Sequence, residues 1–150
     1  MAATGDAERS ERGRVLGLDL GDARIGVAIS DPDRRLALPH GTLRTGAPQD
    51  VRAIAAIVRQ NGVSRIVLGH PRSLSGAAGP AAHHAERFAA TLRDALGIPV
   101  TLEDERFTTV EAHRRLAEAG ARERRRRQVI DRSAAALILQ SYLDRFRSTG

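Results

Sequence analysis

The sequence has no cysteine and no lysine, and aromatic residues make up only 3% of it. Without cysteine, the chain can form no disulfide, no thiolate zinc site and no cysteine nucleophile. With so few aromatics, its core has to be built mainly from Leu, Ile, Val and Ala. No apolar run approaches the ~20 residues of a membrane helix, and the first residues lack the apolar core of a signal peptide. We therefore expect a cytoplasmic protein with no membrane partner.

The size and charge of the chain favour a single domain that meets a polyanion. It has 150 residues, of which 41% are hydrophobic, enough for one domain with its own core. The 24 basic residues are all arginine and outnumber the 18 acidic ones, for a net charge of +6. Guanidinium groups bind phosphate oxygens, often with two hydrogen bonds. Nucleic acid is thus a natural partner, although general solubility would explain the charge equally well.

The hydrophobic pattern predicts a disordered leader over residues 1–13 and one domain over residues 14–147. The predicted strands cover residues 15–20, 24–30, 36–43, 65–69 and 99–104, and the predicted helices cover 48–61, 81–96, 108 or 109 to 119, and 130–147. Pro39 marks the third strand as an edge strand. Three consecutive strands followed by strands that alternate with helices predict an α/β fold with a mixed five-stranded sheet and helices on both faces.

Three carboxylates lie where a metal-dependent nuclease would need them. Asp19 ends the first strand, Glu105 follows the fifth strand, and Asp131 opens the last helix. An acid among apolar residues is costly to bury unless something compensates its charge. Carboxylates from several elements can hold two Mg²⁺ or Mn²⁺ ions about 4 Å apart, which activate a water and stabilise the leaving oxygen.

Each acid also has an ordinary structural explanation. Asp19 could cap a turn, and Asp131 could be a helix N-cap. Glu105 could pair with Arg106 at an exposed strand end. Because side chains alternate along a strand, only one of Asp104 and Glu105 shares a face with Asp19, and the pattern does not decide which. Asp131 heads a stripe of buried positions in the last helix, which directs it towards the sheet.

A second set of residues could bind substrate around these acids. Gly21 follows Asp19 by two residues, which lets a ligand or backbone approach closely. The loop after the fourth strand lies at the carboxyl ends of the strands, where ligands bind, and the arginine-rich run before Asp131 favours contact with a polyanion. An ordinary loop and a solvated connection are the alternatives. The candidate substrate-binding residues are Gly21, Arg24, His70, Arg72, Ser73, Arg106, Arg124, Arg125, Arg126 and Arg127.

Three segments of the chain, residues 17–28, 104–112 and 130–143, resemble the motifs of the YqgF/RuvX family. The resemblance covers residues 14–146 in the right order. It implies a ribonuclease H-like fold, related to the Holliday junction resolvases, and a metal-dependent endonuclease that matures the 5′ end of pre-16S rRNA in the cytoplasm. It also implies the catalytic and metal-binding acids, which are Asp19, Glu105 and Asp131, with Asp104 as a supporting metal ligand.

The loop after the fourth strand departs from the family pattern, because Ser73 stands where the family has Asn and Ser75 where it has an acidic or polar residue. Two other functions stay open. One is a Holliday junction resolvase acting on branched DNA, for which two symmetric cuts would require a dimer. The other is a non-catalytic RNA-binding module. An actin-like ATPase would need two domains around its nucleotide. Monomer and homodimer both remain open, as does the small ribosomal subunit as a partner.

Overall fold

The computed structural model describes residues 13–71, 76–105 and 134–146. Its strands are β1 (Arg14–Leu20), β2 (Arg24–Ser30), β3 (Ala37–Arg44), β4 (Val63–His70) and β5 (Val100–Asp104). Its helices are α1 (Gln49–Asn61), α2 (Pro80–Leu96) and, as far as it is described, α3 (residues 134–146). No helix in these ranges is long and apolar enough to cross a membrane.

The five strands form one mixed sheet in the order β3-β2-β1-β4-β5. The first three strands are antiparallel neighbours, whereas β4 and β5 run parallel to β1. The carboxyl ends of β1, β4 and β5 therefore meet at one edge of the sheet. That edge is where ligands bind in sheets of this kind.

The two faces of the sheet carry separate cores. Leu16, Leu18, Ile66 and Leu68 face α1 and α2 in one cluster. The alternate residues of the same strands face α3, whose buried side chains are Ala134, Ala135, Ile138, Leu139, Tyr142 and Leu143. Because successive side chains in a strand point to opposite faces, the residues of β1 and of β4 from Arg65 onward alternate between the two cores. A register shift at the start of β4 interrupts this alternation, so that Val63 joins the same cluster as Ile66.

Glycine fixes the packing of α3 onto the sheet. A Cβ atom on Gly17 would lie 2.7 Å from the Cβ of Leu139 and 3.1 Å from the carbonyl oxygen of Ala135. The helix backbone thus lies almost directly on β1. On the other face, α1 ends where Gly62 adopts a left-handed conformation with φ of 64°, which L-residues avoid.

The structure confirms the predicted fold class, the five strands and the helices on both faces. β2 has the predicted bounds, and β3 is an edge strand as Pro39 indicated. β4 is longer than predicted, because it starts at Val63 and pairs with β1 from Arg14 onward. The predicted helix over residues 108–119, the start of the last helix and residues 1–12 of the predicted leader lie outside the described residues.

Candidate functional site

Two of the three predicted acids come together at the carboxyl edge of the sheet. Asp19 and Glu105 both line a cleft of about 340 Å³, together with Gly69, Pro80 and other residues at the end of β4 and the start of α2. Asp19 is 9% exposed and Glu105 is 3% exposed. Burial of two like charges beside one cleft is unfavourable unless cations or hydrogen bonds offset them.

Strand geometry puts both acids on the face of the sheet that α3 covers. Asp19 alternates with Leu18, which belongs to the opposite core. Glu105 lies over Gly69, since a Cβ atom on that glycine would be 3.6 Å from the Cδ of Glu105 and 2.8 Å from Ile138 of α3. Asp104 pairs with His70 in the β4–β5 register. Because side chains alternate along a strand, the side chain of Asp104 faces away from the side that its neighbours face. The parity that the sequence left open therefore joins Glu105, and not Asp104, to the face of Asp19.

The hairpin between β1 and β2 forms the floor of the cleft. The backbone N–H of Gly21 donates a hydrogen bond to the carbonyl of Arg24 at 2.8 Å, and a Cβ atom on Gly21 would lie 2.8 Å from that same oxygen. Gly21 is thus needed for the tight turn itself. Beyond the turn the cleft continues into a trough of about 440 Å³ that Arg24, Gly26 and Thr42 line with Asp19 and the turn residues.

The amino terminus of α2 faces the cleft. Pro80 and Ala81 line it, the first turn of the helix has no acidic residue, and no side chain caps it. The positive end of the helix dipole therefore adds favourable potential for anions at this edge. The site thus combines two buried carboxylates with the positive end of the α2 helix dipole.

His70 lies beside the cleft, next to Glu86 of α2. Its Nε2 atom lies 3.6 Å from a carboxylate oxygen of Glu86 on α2, and its side chain is 13% exposed. Its neighbours Gly69 and Pro71 line the cleft, whereas the imidazole ring is directed at α2. His84 is exposed and lines the cleft as well, although it is not among the predicted site residues. The sequence does not indicate that His84 lines a cleft, because this depends on how α2 is rotated about its own axis where it packs on the sheet.

The remaining predicted site residues lie outside the described part of the chain. They are Arg72, Ser73, Arg106, Arg124, Arg125, Arg126, Arg127 and Asp131. Within residues 13–71, 76–105 and 134–146, no three His, Asp or Glu side chains form a group that could hold a metal ion. The two described acids still fit such an ion, because buried carboxylate oxygens are the ligands that Mg²⁺ and Mn²⁺ prefer.

Comparison with known proteins gives consistent results over most of the chain. The family model described as "RuvX: Holliday junction resolvase" matches residues 13–145. A protein of Pelotomaculum thermopropionicum named "Putative pre-16S rRNA nuclease" is 50% identical over 133 residues, which cover 87% of this chain and 86% of that protein. One of Mycobacteroides abscessus with the same name is 45% identical over 142 residues, covering 93% and 86%.

A solved structure shares the fold. RuvC of T. thermophilus in complex with a Holliday junction substrate superposes with a TM-score of 0.52 at 15% sequence identity. The match covers 87% of this chain and 94% of that chain. At this identity the likeness supports the ribonuclease H-like fold alone.

Proposed function

The chain belongs to the RuvX family, and from that membership we propose that it is a metal-dependent endonuclease that hydrolyses phosphodiester bonds in precursor 16S rRNA. The observation that carries the proposal is the pair of buried carboxylates, Asp19 and Glu105, beside one cleft at the carboxyl edge of the sheet. The relatives named as pre-16S rRNA nucleases cover nearly the whole chain and supply the substrate class. The cytoplasm and the small ribosomal subunit are the place and the partner that this substrate implies.

The proposed metal ligands are Asp19, Glu105 and Asp131, with Asp104 in a supporting position. Two Mg²⁺ or Mn²⁺ ions held by these acids would polarise the scissile phosphate and lower the pKa of the attacking water. Asp19 lies within β1 and Glu105 directly follows β5, so the sheet holds the backbone of one acid and the residue before the other. Such rigid support keeps acidic groups in place during the reaction.

The proposed substrate contacts surround the acids. Arg24 lines the trough that continues from the cleft, and Gly21 brings the turn backbone next to Asp19. The predicted contacts of Arg72, Ser73, Arg106 and the four arginines at 124–127 remain part of the proposal. His70 would act indirectly, by holding the start of α2 through Glu86.

A cleavage assay with the acid removed tests the proposal. Wild-type protein, Asp19→Asn and Asp94→Asn would each meet a precursor 16S 5′-end RNA and a four-way DNA junction, with Mg²⁺ or Mn²⁺. Asp94 is an exposed acid on α2, so Asp94→Asn makes the same chemical change away from the cleft. We expect the wild type and Asp94→Asn to cut the RNA and Asp19→Asn to lose at least ~100-fold in kcat.

Comparison of the two substrates distinguishes an rRNA nuclease from a Holliday junction resolvase. Cutting of the junction alone, dependent on Asp19, would replace the RNA reading with that of a Holliday junction resolvase, the activity that the family description names. Undiminished cutting by Asp19→Asn would show that the proposed acids are not the catalytic ones. Calorimetric titration of Mn²⁺ gives a second readout, because Asp19→Asn should weaken binding of the ion even where no RNA is present.

A further inference from the structure

The trough beside the acids has a regular construction across three strands. Asp19 on β1 is opposite Gly26 on β2, and Gly26 is opposite Thr42 on β3. These three residues therefore form one row on the face that α3 covers. Because the middle residue has no side chain, the row leaves a channel that runs from Asp19 towards the edge strand.

Arg24 lines this channel, and Arg44 lies next to Arg24 on the neighbouring strand. Arg24 is two residues before Gly26 and Arg44 is two residues after Thr42, so both share the face of Asp19. The β2–β3 register puts Arg24 directly opposite Arg44. Both side chains are exposed, so no described residue closes them off from a ligand in the trough.

The charge arrangement of the pair is unfavourable for the protein alone. Like charges directly opposite each other on antiparallel strands repel and destabilise the pairing. Neither guanidinium forms an ion pair with any carboxylate in residues 13–71, 76–105 or 134–146. A phosphate group between the two would turn this repulsion into attraction, since guanidinium groups bind phosphate oxygens with paired hydrogen bonds.

We propose that Arg24 and Arg44 form a phosphate subsite that binds the nucleic-acid backbone at a fixed distance from the scissile phosphate. The subsite rests on the proposed nuclease function and adds to it a second point of contact. Neighbouring strands are about 4.8 Å apart, and a strand rises by about 3.4 Å per residue. From these values the Cα atom of Arg24 lies about 8 Å from the Cα atom of Asp19, and that of Arg44 lies about 12 Å from it. At ~3.4 Å or more per nucleotide, the bound phosphate lies within about three nucleotides of the cut.

Thr42 and Asp22 shape the subsite. The hydroxyl of Thr42 is exposed in the trough between the acid and the arginines, where it can donate a hydrogen bond to a phosphate oxygen. Asp22 lies on the turn at the other wall, and its negative charge would repel the backbone from the turn. The nucleic acid is therefore guided over β2 and β3, so that Asp22→Asn should strengthen binding while Arg44→Ala weakens it.

A binding experiment with single neutralised phosphates tests the subsite. The probe is a short single-stranded RNA carrying one methylphosphonate, moved stepwise along the chain on both sides of the cleavage position. Binding is measured without cleavage, in the Asp19→Asn background, for proteins with Arg24→Ala, Arg44→Ala or Arg52→Ala. Arg52 is exposed on α1, which packs on the opposite face, so it controls for the loss of one positive charge.

The expected result is specific to one linkage. Arg44→Ala and Arg24→Ala should each weaken binding about tenfold, the size of one charge-assisted hydrogen bond. They should lower the slope of log Kd against log salt by about 0.7 per lost contact, with a much smaller change for Arg52→Ala. Neutralising the bound phosphate should weaken binding to a protein with both arginines by more than either single substitution does. The same change should have a smaller effect on the Arg44→Ala variant, in which only Arg24 still contacts that phosphate.

Equal losses at every linkage, or the same loss with Arg52→Ala as with Arg44→Ala, would overturn the subsite. Failure of the nuclease function would look different. In that case the protein with Asp19 intact would cut neither RNA nor DNA junction, while the position-dependent binding could still be present. Circular dichroism of each variant checks that the β2–β3 pairing is retained.

Discussion

Arg145 on α3 donates a hydrogen bond to the carboxylate of Glu103 on β5, whose side chain is fully buried. Ser141 donates a second hydrogen bond to the same carboxylate at 3.0 Å. Burial raises the pKa of Glu103, whereas the Ser141 hydrogen bond and the charge of Arg145 act in the opposite direction. Because Glu103 precedes Glu105 by two residues, this contact fastens α3 to the strand that carries one of the proposed catalytic acids.

Removal of Arg145 should destabilise the fold. In Arg145→Ala the buried carboxylate keeps only its Ser141 partner, and an uncompensated buried charge is costly. Because the side chain of Arg145 is 53% exposed, water screens part of the interaction, and we expect a loss of about 2 kcal/mol in the free energy of unfolding. Urea denaturation of the variant and the wild type measures it.

A double-mutant cycle isolates the pair. Glu103→Gln removes the charge that Arg145 neutralises, so the second substitution should cost less in that background than in the wild type. A coupling energy of about 1 kcal/mol or more is expected for groups in one network. Strictly additive costs would mean that the ion pair contributes nothing and that Arg145 stabilises α3 by packing alone.

Gly17→Ala should also destabilise the fold, through sterics alone. Its Cβ atom would overlap the Cβ of Leu139 and approach the backbone oxygen of Ala135, so α3 as a whole would have to move. Overpacking of this kind costs about 2 kcal/mol. Gly79→Ala is the control, because no atom lies within 4 Å of the Cβ position there. Equal melting temperatures for the two variants would contradict the close packing of α3.

The local parts of the fold were predictable from the sequence. The β1–β2 hairpin and the helices α1 and α2 follow from apolar periodicity and from glycines at their ends, and their observed bounds differ from the predicted ones by no more than one residue. The start of β4 was predicted two residues late, because Val63 joins the strand by pairing with Arg14 of β1 and Ser64 lies at the irregularity that follows. Such pairing is non-local and leaves no pattern in the segment itself.

The composition of the site was predictable only in part. The acids Asp19 and Glu105 stood out because they lie at the ends of apolar stretches. The strand pattern alone did not choose between Glu105 and Asp104; the family resemblance implied Glu105, and the register of β4 with β5 agrees with that choice. His84 and Arg44 were missed, because each is an ordinary polar residue in its own segment. Only the position of α2 brings His84 to the cleft, and only the β2–β3 register puts Arg44 opposite Arg24. The prediction of Asp131 as a third ligand stays a prediction.

The turn after β2 should make stability depend on acid pH. Asp31 accepts hydrogen bonds from the backbone N–H groups of Leu36 and Arg35, at 3.0 and 2.7 Å, and these bonds lower its pKa in the folded state. A carboxyl with a lowered folded pKa stabilises the fold above its ordinary pKa and loses that contribution as the pH falls through the folded value. The stability gap between wild type and Asp31→Asn should therefore close on acidification.

Urea unfolding at neutral and at acidic pH checks this sign. The wild type should be the more stable protein at neutral pH, and the two should converge once the carboxyl is protonated in both states. If the difference in the free energy of unfolding between the two proteins were the same at both pH values, the hydrogen bonds of the Asp31 side chain would stabilise the turn and its charge would not. NMR titration of the Asp31 carboxyl gives the folded pKa directly.

Gly69→Ala should reduce activity more than it reduces stability. The added Cβ would lie 2.8 Å from the Cδ1 atom of Ile138 and within 3.7 Å of the Cγ and Cδ atoms of Glu105. Ile138 meets it with the end of a flexible side chain, so the fold can adjust at a cost of about 1 kcal/mol. At 3.6 and 3.7 Å the new methyl group only touches Glu105 at van der Waals distance, so a shift of the acid would come through the displaced Ile138 side chain. A shift of about 1 Å in a catalytic group lowers kcat by about 100-fold.

Shortening Ile138 distinguishes this effect from a general loss of folding. Ile138→Val removes the Cδ1 atom that a residue larger than glycine at position 69 would meet, so the double variant Gly69→Ala/Ile138→Val should recover part of the lost kcat. Ile138→Val alone should cost about 1 kcal/mol in stability and little in kcat. If Gly69→Ala kept full activity, the added methyl group would not displace Glu105, and the predicted coupling between position 69 and the acid would be wrong.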